Sequence, residues 1–321
     1  MPERTLSERL DNAIGALLTG ATPATAGDAT LSGLMEIAGR LRQMPDDGFK
    51  NWLRSNLMTT ASPIESAAAD FAAIHTITPF ICVAEGARFI EFMKHTFEAE
   101  ETDRHPHHGP DGFVAGIRIG DSDLIVMGGE SLRGQECPAA LHVYVKDCDG
   151  AYRRALDAGA VTIGGSVGEP SDRPYGERSA FVSDPFGNYW FIATRPGPNY
   201  AGVGLGHVTP TLLPLSAPPL INFLKRAFGA EIEGHYEQKG RLVHAFVHIG
   251  EAVVEMAEAE EKVRTFGFYL HTNDVDAVYR QAMAVGAVSI VPPADQPFGD
   301  RLAIFQDPAG NRWFAAKRIV R

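Results

Sequence analysis

The chain has 321 residues, a formal net charge of −11 and 21% charged residues, a length that suggests two domains or more. The acidic balance excludes the basic footprint of a nucleic-acid binder. An apolar content of 45% is ordinary for a globular protein, and no apolar run is long enough to cross a bilayer as a helix. The three cysteines, Cys82, Cys137 and Cys148, are widely spaced and form no CxxC pair. The N-terminus also lacks the basic start and apolar core of a signal peptide, so a cytoplasmic location is expected.

Residues 1–74 read as a small α-helical segment. Leu6, Leu10, Ile14 and Leu17 share one helix face, Leu34, Ile37, Ala38 and Leu41 a second, and Phe49, Trp52, Leu53 and Leu57 a third. These stripes are expected to form a bundle or a cover on the domains C-terminal to them; a partner-docking face is the alternative. Residues 75–195 then run strand (76–83), helix (84–97) and strands (113–119 and 123–127). A second cycle begins with a strand at 141–145 and a helix that starts at Asp147 and is stopped by Gly159. His105, His107 and His108 fall at an expected hairpin tip. Residues 196–206 are rich in Gly and Pro and read as a linker, and residues 207–321 repeat the programme with shorter loops.

The repeat is clearest in YGERSAFVSDPFGNYWFIATR (175–195), which returns as FGDRLAIFQDPAGNRWFAAKR (298–318). DPFGN and DPAGN are turn sequences: Asp184 and Asp307 can bond their own backbone, Pro185 and Pro308 preset φ, and Gly187 and Gly310 accept positive φ. Apolar residues flank each turn, so each copy predicts a β-hairpin with a tryptophan, Trp190 or Trp313, at a matching place.

These residues, with TPF…IEFMKHTFEAE, IGDSDLIVM and VYVKDCDGAYRRALDAGA, resemble the vicinal-oxygen-chelate superfamily of glyoxalases, bleomycin-resistance proteins and extradiol dioxygenases, nearest its PhnB-like branch. The resemblance covers about three-quarters of the chain, twice over. It implies an α+β fold with two tandem domains, 75–195 and 207–321, each a pair of βαβββ modules whose mixed sheets curl into cups. Family cups are often built from two chains. A homodimer therefore stays open, and tandem fusion could make the partner internal.

Family enzymes hold a divalent metal on four strands. The matching positions are Thr78, Ile125, the neighbourhood of Ala140, and Phe191 in the first domain, and Thr209, Glu255, Gly267 and Phe314 in the second. One carboxylate among these does not make the usual centre, so no cofactor is expected, with a divalent metal at an atypical set as the alternative. His142 and Tyr144 lie at i and i+2 on one strand, hence on one face, and Tyr269 and His271 hold the matching places. His207, Thr209, Glu255, Tyr269 and His271 are candidates to converge in the second cup, with Glu255, His271 and Tyr269 as the catalytic candidates. His244 and His248 alternate on one strand. Arg178 and Arg301, beside Tyr175 and Phe298, are candidates to clamp an anion or to pair with Glu177 and Asp300. With Trp190, Phe191, Trp313 and Phe314, these residues make up the expected ligand-binding set. No dinucleotide fingerprint, P-loop, nucleophile elbow or zincin motif is present.

The expected function is binding of a small organic molecule in the cups, sequestered or transformed without the family's metal. The alternatives are a metal-dependent lyase, isomerase or dioxygenase centred on Glu255, and an interaction protein docking through residues 1–74. Neither nucleic acid nor membrane is expected as a partner.

Overall fold

The computed structural model describes residues 74–107, 109–173, 176–195, 205–259 and 265–319. The helices expected in 1–74, the 196–206 linker apart from its last two residues, His108 and Tyr175 lie outside the described residues.

The first half of the chain contains β1 (Ile74–Val83), α1 (Gly86–Phe97), β2 (Glu100–Pro106), β3 (Phe113–Ile119) and β4 (Ser122–Gly128), then β5 (Ala140–Tyr144), α2 (Cys148–Asp157), β6 (Val161–Thr162), β7 (Ser171–Asp172), β8 (Arg178–Ser183) and β9 (Tyr189–Thr194). The second half contains β10 (Val208–Leu212), α3 (Ala217–Phe228), β11 (Glu231–Gln238), β12 (Arg241–Ile249) and β13 (Ala252–Met256), then β14 (Gly267–Thr272), α4 (Val275–Ala284), β15 (Val288–Asp295), β16 (Asp300–Gln306) and β17 (Arg312–Arg318). The fold is α+β, and four βαβββ modules succeed one another as the repeat predicts. Strand β2, which carries His105, is the strand that the βαβββ order requires but that the sequence pattern does not locate.

The sheets do not respect the halves. One sheet has the order β15-β16-β17-β14-β1-β4-β3-β2, the other β11-β12-β13-β10-β5-β9-β8-β6, with β7 on β8. Each sheet therefore joins one module from each half. The joins are antiparallel, β1 on β14 and β5 on β10, while β1–β4, β5–β9, β10–β13 and β14–β17 are parallel.

Strand alternation explains how this holds together. On β1, Ile81 and Val83 point to one face and Phe80 and Cys82 to the other. The first face packs under α1 and α2 in a core with Phe89, Met93, Leu141, Val143 and Trp190. In the second half, α3 and α4 cover Val254, Met256, Phe268, Leu270 and Trp313 in the same way. Each half thus owns a helix-covered core, whereas the opposite, concave faces are shared between halves.

The repeated turns are locked by one device. Asp307 accepts hydrogen bonds from the backbone N–H of Ala309 and Asn311, from Asn311 Nδ2 and from Trp313 Nε1, all at 2.8–3.0 Å. Asp184 does the same for Phe186, Asn188 and Trp190. Both tryptophans are fully buried, so the DPxGNxW spacing serves to satisfy an indole N–H in the core. Asp307→Ala strands these buried donors, and a loss of about 1–3 kcal/mol is expected, measurable by urea denaturation.

Candidate functional site

The more polar concave face belongs to the sheet built by β5, β9, β10, β12 and β13. The β5–β10 pairing sets Thr209 opposite His142, and the β10–β13 pairing sets Glu255 beside Thr211. Nδ1 of His142 then lies 3.0 Å from both carboxylate oxygens of Glu255. A carboxylate only accepts, so Nδ1 carries the proton and the other ring nitrogen faces away. Thr211 donates to the same carboxylate at 3.5 Å, and His244 on β12 sits 3.8 Å from it. Glu255 is only 3% exposed.

Burial alone would raise the Glu255 pKa, but the charge and hydrogen bond of His142, with His244 behind, outweigh it and lower it to about 2. Burial likewise opposes the charged form of His142. The Glu255 carboxylate, its hydrogen bond and then Glu177 overcome this and raise the His142 pKa above the ordinary histidine value. Both shifts favour the charged forms of the two groups facing each other.

A second unit adjoins it. Tyr144 stacks on His142 at 4.5 Å between ring centroids, and its hydroxyl donates to Glu177 at 2.9 Å. Burial, with the Glu177 charge, pushes the Tyr144 phenol well above its usual range. Arg195 lies 3.9 Å from Glu177, and the other oxygen of Glu177 is 3.8 Å from His142 Nε2. Nε2 itself is buried without a hydrogen-bond partner among the described residues. Phe246 and Val253 pack beside Tyr144, and Thr209 and Val253 also line a cleft of about 620 Å³ along the seam between the sheets.

The other concave face, on β1, β4, β14 and β17, repeats the layout with different chemistry. By register Thr78 faces Tyr269, Tyr269 adjoins Phe314, and Phe80 adjoins Ile125. Tyr269 donates to Asp300 at 3.0 Å, and Arg318 reaches Asp300 at 3.1 Å, a tyrosine–carboxylate–arginine grouping like that of Tyr144, Glu177 and Arg195, although Tyr269 stands at the strand position of His142. The place of the His142–Glu255 pair is taken by Tyr269 and Ile125. Phe80 and Phe314 close over it at 4.3 Å between centroids.

The convergence expected around Glu255 is therefore corrected. Thr209 and Glu255 share a sheet with His142 and His244, while Tyr269 and His271 lie on the other sheet, because β14 pairs with β1. His207 is held at the start of β10 by Asp121, whose carboxylate accepts from its backbone N–H at 2.7 Å. On β5 the side chain set beside Thr209 is His142, not Ala140. Trp190 and Trp313 sit in the helix-covered cores rather than on a concave face. Arg178 is bound to Asp149 and Asp172, and Arg301 to Asp276 and Asp295, so each guanidinium is already matched by carboxylates other than Glu177 and Asp300. Phe298 is exposed. Phe191 adjoins His142 on β9. His248 lies 2.9 Å from Glu233. Sequence reasoning misses Glu177 and Arg195 as site residues; their recurrence as Asp300 and Arg318 is the signal that could have found them.

The sequence model of the glyoxalase/bleomycin resistance protein/dioxygenase superfamily matches residues 73–192 and again 204–314. The chain belongs to that superfamily. Relatives of this superfamily member include uncharacterized proteins of Mycobacterium bovis and of Mycobacterium tuberculosis strain H37Rv. Each is 32% identical over 128 residues, which is 36% of this chain and 80% and 72% of the respective relative. Among solved structures, glyoxalase I from Zea mays aligns with a TM-score of 0.58 at 13% identity, covering 75% of this chain and 92% of the maize chain. That likeness shows the fold. No helix among the described residues is long and apolar enough to cross a membrane.

The superfamily's divalent metal does not fit either residue set. One cup offers Thr78, Ile125, Tyr269 and Phe314. In the other, His142 and Glu255 are bonded to each other, and Thr209 and Phe191 complete the set. No group of three His, Cys, Asp or Glu side chains among the described residues is placed to hold an ion.

Proposed function

We propose that this superfamily member binds a small organic molecule on the concave face that carries His142, and that it does so without a divalent metal. The single observation behind this reading is the buried Nε2 of His142, which has no hydrogen-bond partner among the described residues. Glu255 fixes the ring and favours its protonated form, so Nε2–H is a preset donor. Its natural complement is a carbonyl, enolate or carboxylate oxygen, with the organic body against Tyr144 and Phe246, the usual pairing of an apolar wall with one oriented polar group. A protonated imidazole beside Glu177 also provides a donor and an acceptor for proton transfer, so the same geometry serves sequestration or metal-free acid–base chemistry.

Native mass spectrometry of protein purified without chelator tests this reading. A co-purifying organic adduct that disappears in His142→Gln is the expected result. A stoichiometric Zn²⁺, Ni²⁺, Mn²⁺ or Fe²⁺, or a melting temperature that rises on adding one of them and fails to rise in Glu255→Gln, would sink it in favour of a metal-dependent lyase, isomerase or dioxygenase.

A further inference from the structure

The apolar cup contains three sulfur side chains in a row. Cys82 on β1 is in parallel register with Met127 on β4. On its other side, beyond the point where β14 ends its pairing with β1 at Pro79, Cys82 exchanges both backbone hydrogen bonds with Cys137 at 3.0 Å. Residues in register across neighbouring strands face the same side, with strands about 4.8 Å apart. All three residues belong to one cluster with Phe80, Tyr269 and Phe314. Both thiols are unoxidised and buried. Gly267 lets the Phe80 backbone and Cys137 pack closely against β14: a Cβ there would come within 2.4 Å of the Phe80 carbonyl oxygen and 3.3 Å of Cys137 Sγ.

We propose that Cys82 and Cys137, with Met127 alongside, form a binding site for a soft monovalent cation of the Cu(I) type. Thiolate and thioether donors in an apolar, aromatic pocket suit Cu(I) and reject hard cations, which need oxygen ligands. Binding is not a redox step. Cu⁺ displaces one proton from each thiol, and the bis-thiolate complex carries a single negative charge. Burial pushes the Cys82 and Cys137 thiols up to about 12 and about 11, while the charge of Arg312 acts on both in the opposite direction. The same charge opposes that of the complex. Two protons leave per ion, so apparent affinity should rise by about a hundredfold per pH unit below the thiol pKa values.

The test uses the full chain, reduced and anaerobic, titrated against Cu(I)–bicinchoninate. The expected result is withdrawal of one copper per chain with a thiolate-to-copper charge-transfer band in the ultraviolet. Cys82→Ser and Cys137→Ser should each lose it, Met127→Leu should bind more weakly, and Cys148→Ser, whose thiol lies in the helix-covered core, should bind as the parent does. Circular dichroism of each variant separates loss of the site from loss of the fold. The proposal is overturned if the parent chain withdraws no more copper than the folded Cys82→Ser/Cys137→Ser variant. It is equally overturned if Cys148→Ser loses copper to the same extent, or if a Cys82–Cys137 disulfide persists in the reduced protein.

Discussion

Replacing His142 by Ala is expected to cost about 3–5 kcal/mol of folding stability, because it leaves the buried Glu255 carboxylate without its counter-charge. Replacing both partners by Leu is expected to be near neutral, since desolvating an ion pair offsets most of what the pair returns. The contrast between single and double variants is the diagnostic, and guanidinium denaturation measures it. The two shifts set the pH dependence. The Glu255 pKa is lowered from 4.5 to about 2 on folding, so its contribution is present above pH 4.5 and lost as pH falls towards 2. The His142 pKa is raised above 6.5, so its contribution is complete below pH 6.5 and lost as pH rises through the folded value. The stability difference between parent and His142→Ala should therefore be largest between pH 4.5 and 6.5 and narrow on either side. A flat difference from pH 2 to pH 9 would refute the ion pair.

Cutting the chain between residues 196 and 204 should give two pieces that co-purify in equal amounts when made together. Either piece alone should fail to stay a soluble monomer. Each half has a helix-covered core of its own, but the joins β1–β14 and β5–β10 run between halves. A lone first half exposes the edges of β1 and β5 together with Phe80, Tyr144 and Ile125, and unpaired strand edges flanked by apolar surface associate. A self-paired dimer of one half is the expected rescue. Light scattering on the separated halves decides it: a stable, soluble monomer of residues 75–195 would contradict the shared-sheet arrangement.

The modules, the turns and most strands are legible in the sequence because they are local. DPFGN and DPAGN declare their hairpins, helix stripes declare α1 and α2, and the second copy confirms the first. Thr78, Thr209 and Glu255 are also assigned to their strands correctly. What escapes is which strands meet. His142 and Glu255 are 113 residues apart, and their contact depends on β10 choosing β5 as its neighbour, a long-range pairing that no periodicity encodes. Chain order groups Glu255 with Tyr269 and His271 instead. The tryptophans mislead for the opposite reason: their matching positions reflect the need to satisfy two buried indoles through Asp184 and Asp307, which turn chemistry alone does not reveal.

The sharing of both sheets between halves has an evolutionary consequence. In an assembly of identical subunits, one substitution alters every cavity at once, so a gain in one is copied into all. Covalent duplication removes that constraint: Ile125 and Glu255 occupy equivalent lattice points, yet each is inherited separately and answers to selection at one location only. A single polypeptide can in this way hold an ionic chamber beside a twin that is oily and sulfur-lined, a division of labour closed to an assembly of identical subunits.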